Sequence, residues 1–171
     1  MLSEEGGVER ALSKLDTIKD SVIWWNAGAE TPQLLADKEV VMGSTYNGRL
    51  FSVIAEQGQP VEMLWDGQIF DYDGWIVPAG LSEDRMNRVM HFLRFSSDTQ
   101  RLADQAKYIA YGPARASSQP LVSTHAELGI EMAPFMPTNP ENMTRYLVND
   151  IEWWADNQDE VEATFQNWLA Q

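Results

Sequence analysis

The fold of this chain is decided by the stretch Ile69-Phe70-Asp71-Tyr72-Asp73-Gly74-Trp75-Ile76-Val77-Pro78. Its apolar and aromatic residues predict a strand from Ile69 to Val77, which the turn signal Pro78-Ala79-Gly80 ends. Directly after that turn, Ser82 provides a hydroxyl cap that opens an amphipathic helix. A strand followed at once by a helix is the unit from which α/β folds are built.

Strands and helices also alternate on either side of this stretch. Upstream, short apolar runs predict further strands at Val22–Trp25, Val40–Met42 and Pro60–Trp65. Helical spacing and helix-start signals, including the hydroxyl of Thr31, predict helices over residues 8–18, 31–37 and 49–56. Downstream, Ser97 and Gln100 form a capping box that predicts a helix over residues 97–106. Further helices are predicted over residues 140–156 and in a final segment after Asn157. The fold class is therefore α/β, with helices dominating the second half.

The charge balance excludes several classes of partner. The chain has 171 residues, with 12 Lys and Arg against 26 Asp and Glu, and a net charge of −14. Nucleic acids and anionic membranes both require basic surfaces, so neither is an expected partner. The excess of acids is compatible with a cationic ligand, although many proteins are acidic simply to stay in solution.

The composition also excludes cysteine-based chemistry, and the common cofactor motifs are not found. There is no cysteine, so disulfides, thiolate zinc sites and cysteine nucleophiles are absent. Neither a phosphate-binding glycine loop nor a Gly-x-Ser-x-Gly elbow occurs. His91 and His125 are far apart and lack metal-ligating neighbours. We therefore expect no cofactor, no metal and no catalytic residue.

Asp71 and Asp73 are the most informative carboxylate pair. Residues two apart on a strand share one side and lie ~7 Å apart. A paired-carboxylate hydrolase uses such spacing, and so does a receptor for an amine, because an ammonium leaving water needs a charged partner. The plainer alternative is a solvated strand end. No partner acid, base or metal ligand can be named for the hydrolase.

Several aromatic residues accompany these acids at predicted strand ends and loop starts: Tyr46, Phe70, Tyr72, Trp75 and Tyr111. Aromatic rings beside carboxylates favour a site for an organic cation, since the rings attract the methylenes and amines while the carboxylates bind the charged ends. The alternative is core packing, which we expect for Trp75.

Taken in order, these motifs resemble the second half of the spermidine/putrescine-binding proteins of bacterial ABC importers. The resemblance covers nearly the whole chain and is strongest between Glu39 and Pro113. It rests on the order and spacing of short motifs: Glu39 to Val41, Tyr46-Asn47-Gly48, Gly58-Gln59-Pro60, Ile69 to Asp73, Trp75 to Pro78, Ser97 to Gln100, and Tyr108 to Pro113.

The resemblance implies a type II periplasmic-binding-protein fold, of which this chain is the C-terminal portion. Such proteins have two α/β lobes that close on a ligand held between them. Residues 1–68 would belong to the second lobe, residues 69–112 would form a hinge strand and helices returning to the first lobe, and residues 113–171 would form a crossing segment and C-terminal helices.

The resemblance also implies ligand-binding residues. Tyr46 occupies the position of an aromatic that stacks on the ligand's carbon chain, and Asp73 occupies that of the carboxylate that binds the amine. Tyr111 corresponds to a further aromatic contact. Asp71 stands where the family has a stacking aromatic, so a second charge replaces a ring at that position.

The function expected from the resemblance is the substrate-binding component of an ABC importer, for a polyamine or a related organic cation. The partners are that ligand and a membrane permease. Alternatives are an acidic carbohydrate-processing enzyme that uses Asp71 and Asp73, and a ligand-sensing lobe without a transport role.

Two expectations concern the chain as a piece of a longer protein. Its first residues lack the basic start and apolar run of a signal peptide, so a periplasmic location requires a signal sequence upstream. A lobe without its counterpart also exposes apolar surface, and we expect the isolated chain to self-associate.

Overall fold

The computed structural model describes residues 1–171 as a helix-rich chain with one small sheet. The α-helices are α1 (Gly7–Asp16), α2 (Glu30–Ala36), α3 (Asn47–Phe51), α4 (Glu83–Ser96), α5 (Thr99–Gln105) and α6 (Ile151–Leu169). The strands β1 (Gln68–Phe70) and β2 (Tyr146–Val148) pair in parallel, with Phe70 opposite Val148. Short helical turns occur at Lys19–Ser21, Ser52–Glu56, Ala116–Leu121 and Ala133–Phe135.

The chain divides into two compact units. The first unit joins the two ends of the chain, Met1–Trp25 and Asn149–Gln171, and contains α1 and α6. The second unit is Asn26–Val148 and contains the sheet and the remaining α-helices. None of the helices combines the length and the apolar character that a membrane span requires.

The first unit is held together by an aromatic cluster around Trp168, which is 7% exposed. Trp24 meets the ring of Trp168 edge-on, with 5.4 Å between the ring centroids, and also meets Phe165 edge-on at 5.6 Å. The spacing of Phe165 and Trp168 along α6 brings both rings to one side of the helix. Helix α6 therefore supplies two of the three rings in this cluster.

The second unit has a small core built around Phe51 and Met132, which are 3% and 0% exposed. Phe51 meets Phe135 edge-on at 5.1 Å and stacks on His125 at 5.5 Å. His125 is itself buried, and its Nδ1 accepts hydrogen bonds from the backbone N–H groups of Glu127 and Leu128. The His125 ring is therefore a packed and hydrogen-bonded core group.

Most predicted helices are confirmed. Helix α4 begins after Ser82, whose Oγ accepts from the backbone N–H of Arg85, as a hydroxyl cap should. Two predicted caps are wrong. Helix α5 is capped by Asp98 rather than by Ser97, and Thr31 lies inside the first turn of α2 instead of preceding it.

The last helix also differs from its prediction. Helix α6 is continuous from Ile151 to Leu169 and begins where the carboxylate of Asp150 accepts from the backbone N–H of Trp153. Asn157 does not interrupt it, because the Asn157 side chain donates to the backbone carbonyl of Trp153 within the helix at 2.7 Å. The segment from residue 140 to residue 150, predicted as helical, is not part of α6.

Most of the predicted strands are wrong. No strand forms at Val22–Trp25, Val40–Met42 or Pro60–Trp65. The long strand predicted from Ile69 to Val77 is reduced to Gln68–Phe70. A strand requires a neighbour that completes its backbone hydrogen bonds, and only β2 supplies one. Apolar side chains in the unpaired segments remain exposed: Val41 is fully exposed, and Leu64 is 80% exposed.

The expected assignment of residues 1–68, 69–112 and 113–171 to the second lobe, the hinge region and the C-terminal crossing segment stays a prediction. That assignment refers to the lobes of a complete two-lobed protein, whereas the two compact units described above are defined by contacts within this chain.

Candidate functional site

Tyr46 lies immediately before α3, in extended backbone conformation, and is 59% exposed. Its ring lies against Gly28, where an added Cβ would come within 2.9 Å of the Tyr46 Cε2 atom. Only a residue without a side chain leaves room for the ring at that distance. Gly28 therefore lets the Tyr46 ring lie close to the backbone while more than half of the side chain stays exposed.

Tyr111 is placed in the same way against Gly48, the second residue of α3. An added Cβ on Gly48 would lie 2.9 Å from the Tyr111 Cζ atom, so the phenol ring lies close to the backbone of the first turn. Tyr111 is 40% exposed. Since Gly48 follows Tyr46 by two residues, the structure brings the two tyrosines to the same end of α3.

The side chain of Asn47 links the segment of Tyr46 to the segment of Tyr111, and the sequence did not indicate this role. Its Nδ2 group donates to the backbone carbonyl of Ala110 and, at 3.4 Å, to that of Phe135. Ala110 directly precedes Tyr111 and is fully buried. A side chain that binds a buried backbone carbonyl fixes the position of both segments. The Asn-Gly pair, which the sequence marks only as a helix opening, therefore positions Tyr111 relative to Tyr46.

Asp71 and Asp73 follow β1 directly and both are exposed. Asp71 accepts a hydrogen bond from the backbone N–H of Tyr72 at 3.0 Å. Because β1 and β2 are parallel and Phe70 lies opposite Val148, both strands end at the same edge. Ligands of open α/β sheets bind outside the carboxyl ends of parallel strands, and the two carboxylates occupy that position.

The structure thus assembles the predicted residues in two groups. Tyr46 and Tyr111 lie together at α3, and Asp71 and Asp73 lie together at the end of β1. Asp73 forms no hydrogen bond or ion pair with either tyrosine. Trp75, expected in the core, is instead 69% exposed and meets Phe92 edge-on at 5.2 Å.

Two hydroxyl groups near Tyr46 were also missed. Thr31 is 2% exposed, and neither its Oγ1 atom nor that of Thr45 has a hydrogen-bond partner. The Thr31 methyl group contacts Gly43, so Thr31 packs against the segment that leads to Tyr46. A buried hydroxyl without a partner costs about 1–3 kcal/mol. No sequence signal distinguishes such a hydroxyl from an ordinary helix cap.

No group of three or more His, Asp or Glu side chains in the chain is arranged to hold a metal ion. What the arrangement offers is two partly exposed tyrosines and two exposed carboxylates. These groups suit a small organic molecule that carries positive charge.

A family model described as bacterial extracellular solute-binding protein matches residues 3–138. This chain belongs to that family. The relatives are solute-binding proteins and not enzymes, which argues against the hydrolytic reading of the Asp71 and Asp73 pair.

One curated relative is the γ-aminobutyric acid-binding protein of Pseudomonas aeruginosa. It is 33% identical over 170 residues, which is 99% of this chain and 46% of the relative. The chain therefore spans about half the length of this relative.

Solved solute-binding proteins share the fold. A GABA receptor is 29% identical with a TM-score of 0.74, over 96% of this chain and 48% of its own. The periplasmic binding protein AgtB from A. tumefaciens R10, in complex with agropinic acid, is 27% identical with a TM-score of 0.72, over 96% of this chain and 49% of its own. An ABC transporter substrate-binding protein from Bradyrhizobium japonicum USDA 110 is 25% identical with a TM-score of 0.72, over 94% of this chain and 48% of its own.

These matches confirm a periplasmic-binding-protein-like fold of which the chain covers about half. The ligands named for the relatives are γ-aminobutyric acid and agropinic acid, and the polyamine expected from the sequence is not among them.

Proposed function

We propose that this chain forms part of the substrate-binding component of an ABC importer and that its ligand is a small molecule with a charged amine, of the class of γ-aminobutyric acid. The observation that carries the proposal is the exposed Asp73 carboxylate at the shared end of the two parallel strands. The γ-aminobutyric acid named for two relatives supports the amine. The choice of Tyr46 and Asp73 is supported by the resemblance of their motifs to those of the spermidine/putrescine-binding proteins.

Each site residue has a physical role in this proposal. The Asp73 carboxylate binds the ammonium group through a charge-assisted hydrogen bond, which is about twice as strong as a neutral one. Tyr46 and Tyr111 lie along the carbon chain, where their rings contact methylenes and their hydroxyls donate to the polar end of the ligand. Asp71 adds a second negative charge that attracts cationic ligands to this edge.

The importer mechanism follows from the fold of the relatives. Two lobes close around the ligand, and the closed form presents it to a membrane permease. We place this activity in the periplasm, in keeping with the family to which the chain belongs. Fractionation of cells that express the complete gene checks the location.

A polyamine is the second candidate ligand, and the paired carboxylates favour it. γ-Aminobutyric acid carries an ammonium at one end and a carboxylate at the other, whereas putrescine has a similar length and carries an ammonium at both ends. The two therefore differ mainly at one end, which is a carboxylate in γ-aminobutyric acid and an ammonium in putrescine. Two neighbouring acids, Asp71 and Asp73, attract the second ammonium of putrescine and repel the carboxylate of γ-aminobutyric acid.

The test is a titration of the chain with γ-aminobutyric acid and putrescine, monitored by NMR at Tyr46, Tyr111 and Asp73. We expect weak binding of γ-aminobutyric acid, with a dissociation constant on the order of 1 mM, because this chain supplies only part of the surface that closes on the ligand in its relatives. Tighter binding of putrescine would assign the ligand to the polyamines. Shifts at none of the three residues with either compound would contradict the proposal.

The remaining alternatives are weaker. A carbohydrate-processing enzyme is not retained, since the chain belongs to a family of binding proteins. A sensing lobe without transport would bind the same ligand but would not stimulate a permease. Uptake of labelled ligand by vesicles that contain the permease separates these two functions.

A further inference from the structure

Two buried hydroxyl groups near Tyr46 have no hydrogen-bond partner. They belong to Thr31, which is 2% exposed, and to Thr45, and no other buried side-chain nitrogen or oxygen of the chain is unpaired. Ser118, which is equally buried, donates to the backbone carbonyl of Thr99 at 2.7 Å. Since the large majority of buried polar groups in proteins are hydrogen-bonded, the two exceptions require an explanation.

Both hydroxyls belong to segments that pack against each other at the candidate site. At one end of this contact the Tyr46 ring lies against Gly28, and at the other end the Thr31 methyl group contacts Gly43. The two segments therefore run past each other in opposite directions. Thr45 directly precedes Tyr46, so both unpaired hydroxyls belong to the contact that places the Tyr46 ring.

An unpaired buried hydroxyl destabilises the folded chain, because it has lost its hydrogen bond to water without replacement. A partner that arrives with the ligand removes this cost in the bound state only, so the hydroxyl then contributes to affinity. A hydroxyl donates to an acceptor, and a carboxylate forms the stronger, charge-assisted kind of hydrogen bond. Such a bond is electrostatically stronger in the protein interior than in water.

We propose that Thr31 and Thr45 are specificity-determining residues whose hydroxyls donate hydrogen bonds to the carboxylate of an amino-acid ligand. This inference rests on the function proposed above, in which Asp73 binds the ammonium group. The carboxylate of the ligand must then lie away from Asp71 and Asp73, because like charges repel. The neutral hydroxyls near Tyr46 provide partners for that end. A monoamine without the carboxylate leaves both hydroxyls unpaired.

The ligand reaches the hydroxyls when the segment that leads to Tyr46 shifts. Residues 43–45 belong to no helix or strand and make no backbone–backbone hydrogen bond. Tyr46 itself is 59% exposed. A shift of this segment away from Thr31 therefore breaks no backbone hydrogen bond of residues 43–45, and it uncovers both hydroxyls for the ligand.

The test compares two ligands in NMR titrations of the chain. Butylamine has the ammonium group and a carbon chain like that of γ-aminobutyric acid, and it lacks the carboxylate. Thr45→Val keeps the shape of the side chain and removes the hydroxyl. We expect it to weaken binding of γ-aminobutyric acid about ten-fold and to leave binding of butylamine unchanged. Thr31→Val should show the same pattern, and Thr45→Ser, which retains the hydroxyl, should bind both ligands like the unmodified chain.

Urea unfolding of the unliganded variants provides an independent measurement. Since an unpaired hydroxyl destabilises the chain, Thr31→Val and Thr45→Val should unfold at the same urea concentration as the unmodified chain or at a higher one. The matched control is Thr99→Val. The hydroxyls of Thr99 and Ser117 are hydrogen-bonded to each other at 2.9 Å, so the control should unfold at lower urea and bind both ligands normally.

Four results would overturn the proposal. Equal weakening of both ligands by Thr45→Val would indicate a structural role for its hydroxyl. Unfolding of Thr31→Val at lower urea would indicate that its hydroxyl has a partner in the unliganded chain. Unchanged affinity of both valine variants for γ-aminobutyric acid would remove the hydroxyls from the site and leave the proposed function intact. An unmodified chain that binds neither ligand would contradict the proposed function as well.

Discussion

Replacement of Trp168 by alanine is expected to destabilise the first unit by about 3–5 kcal/mol, the usual cost of removing a buried tryptophan. Trp168 is the only tryptophan among the buried core residues. The stability of a single small unit is of the same order as this loss. We therefore expect the unit formed by the two chain ends to unfold in the variant.

The expected loss is large because Trp168 makes several kinds of contact at once. Its indole N–H donates to the Asp16 carboxylate at 2.6 Å, which ties α6 to the end of α1. The Lys19 ammonium lies 4.4 Å from the centroid of the indole ring and donates to the Trp168 backbone carbonyl at 2.5 Å. Alanine would leave a cavity beside Trp24 and would remove the partner of a charged carboxylate.

Amide hydrogen exchange measures this effect in each unit separately. We expect protection in α1 and α6 to disappear in Trp168→Ala while the buried segments around Met132 keep theirs. Trp168→Phe retains a ring but loses the hydrogen bond and part of the packing, so its cost should be at least about 1–2 kcal/mol and below that of alanine. Trp75→Ala is the exposed control and should change the stability by less than about 1 kcal/mol in dilute solution. Equal losses in the two alanine variants would contradict the role of Trp168.

Asp73→Asn is expected to weaken binding of the amine ligand by about ten-fold to one hundred-fold. A hydrogen bond to a charged group contributes about 1.5–3 kcal/mol, and each 1.4 kcal/mol changes affinity ten-fold. Asparagine keeps the size of the side chain and removes only its charge. The variant should fold normally, since Asp73 is exposed and makes no hydrogen bond or ion pair in the chain.

Asp71→Asn distinguishes the contribution of Asp71 to ligand binding from that of Asp73. The resemblance assigns the amine to Asp73, and Asp71 stands where the family has an aromatic, so we expect a smaller loss from Asp71→Asn than from Asp73→Asn. Asp84→Asn is the matched control, because that acid lies on α4 and pairs with Arg88. A loss in Asp71→Asn that exceeds the loss in Asp73→Asn would contradict the residue assignment.

The helices were predictable from the sequence because their signals are local. Ser82 caps the following turn through its own side chain, and the spacing of Phe165 and Trp168 along α6 depends only on residues of that helix. Errors occurred where two local signals competed. Ser97 and Asp98 both suit a helix cap, and the choice of Asp98 depends on which backbone N–H groups its carboxylate reaches.

The strands were less predictable because a strand is completed by a distant segment. Val40–Met42 has the composition of a buried strand, but no neighbouring strand in this chain pairs with it. The parallel partner of β1 is Tyr146–Val148, more than seventy residues away, and nothing in the sequence of either strand indicates that pairing.

The sequence by itself determined the class of protein, because the family motifs and the residues of the candidate site are properties of the chain order alone. Tyr46, Asp71, Asp73 and Tyr111 were all predicted as candidate ligand-binding residues in this way. Only the tertiary structure decided that Asn47 connects Tyr46 to Tyr111 and that the apolar residues of α4 lie uncovered. The physical reason is that a hydrogen bond between distant segments and the burial of a side chain both depend on which parts of the chain meet in space, whereas helix caps and helical spacing do not.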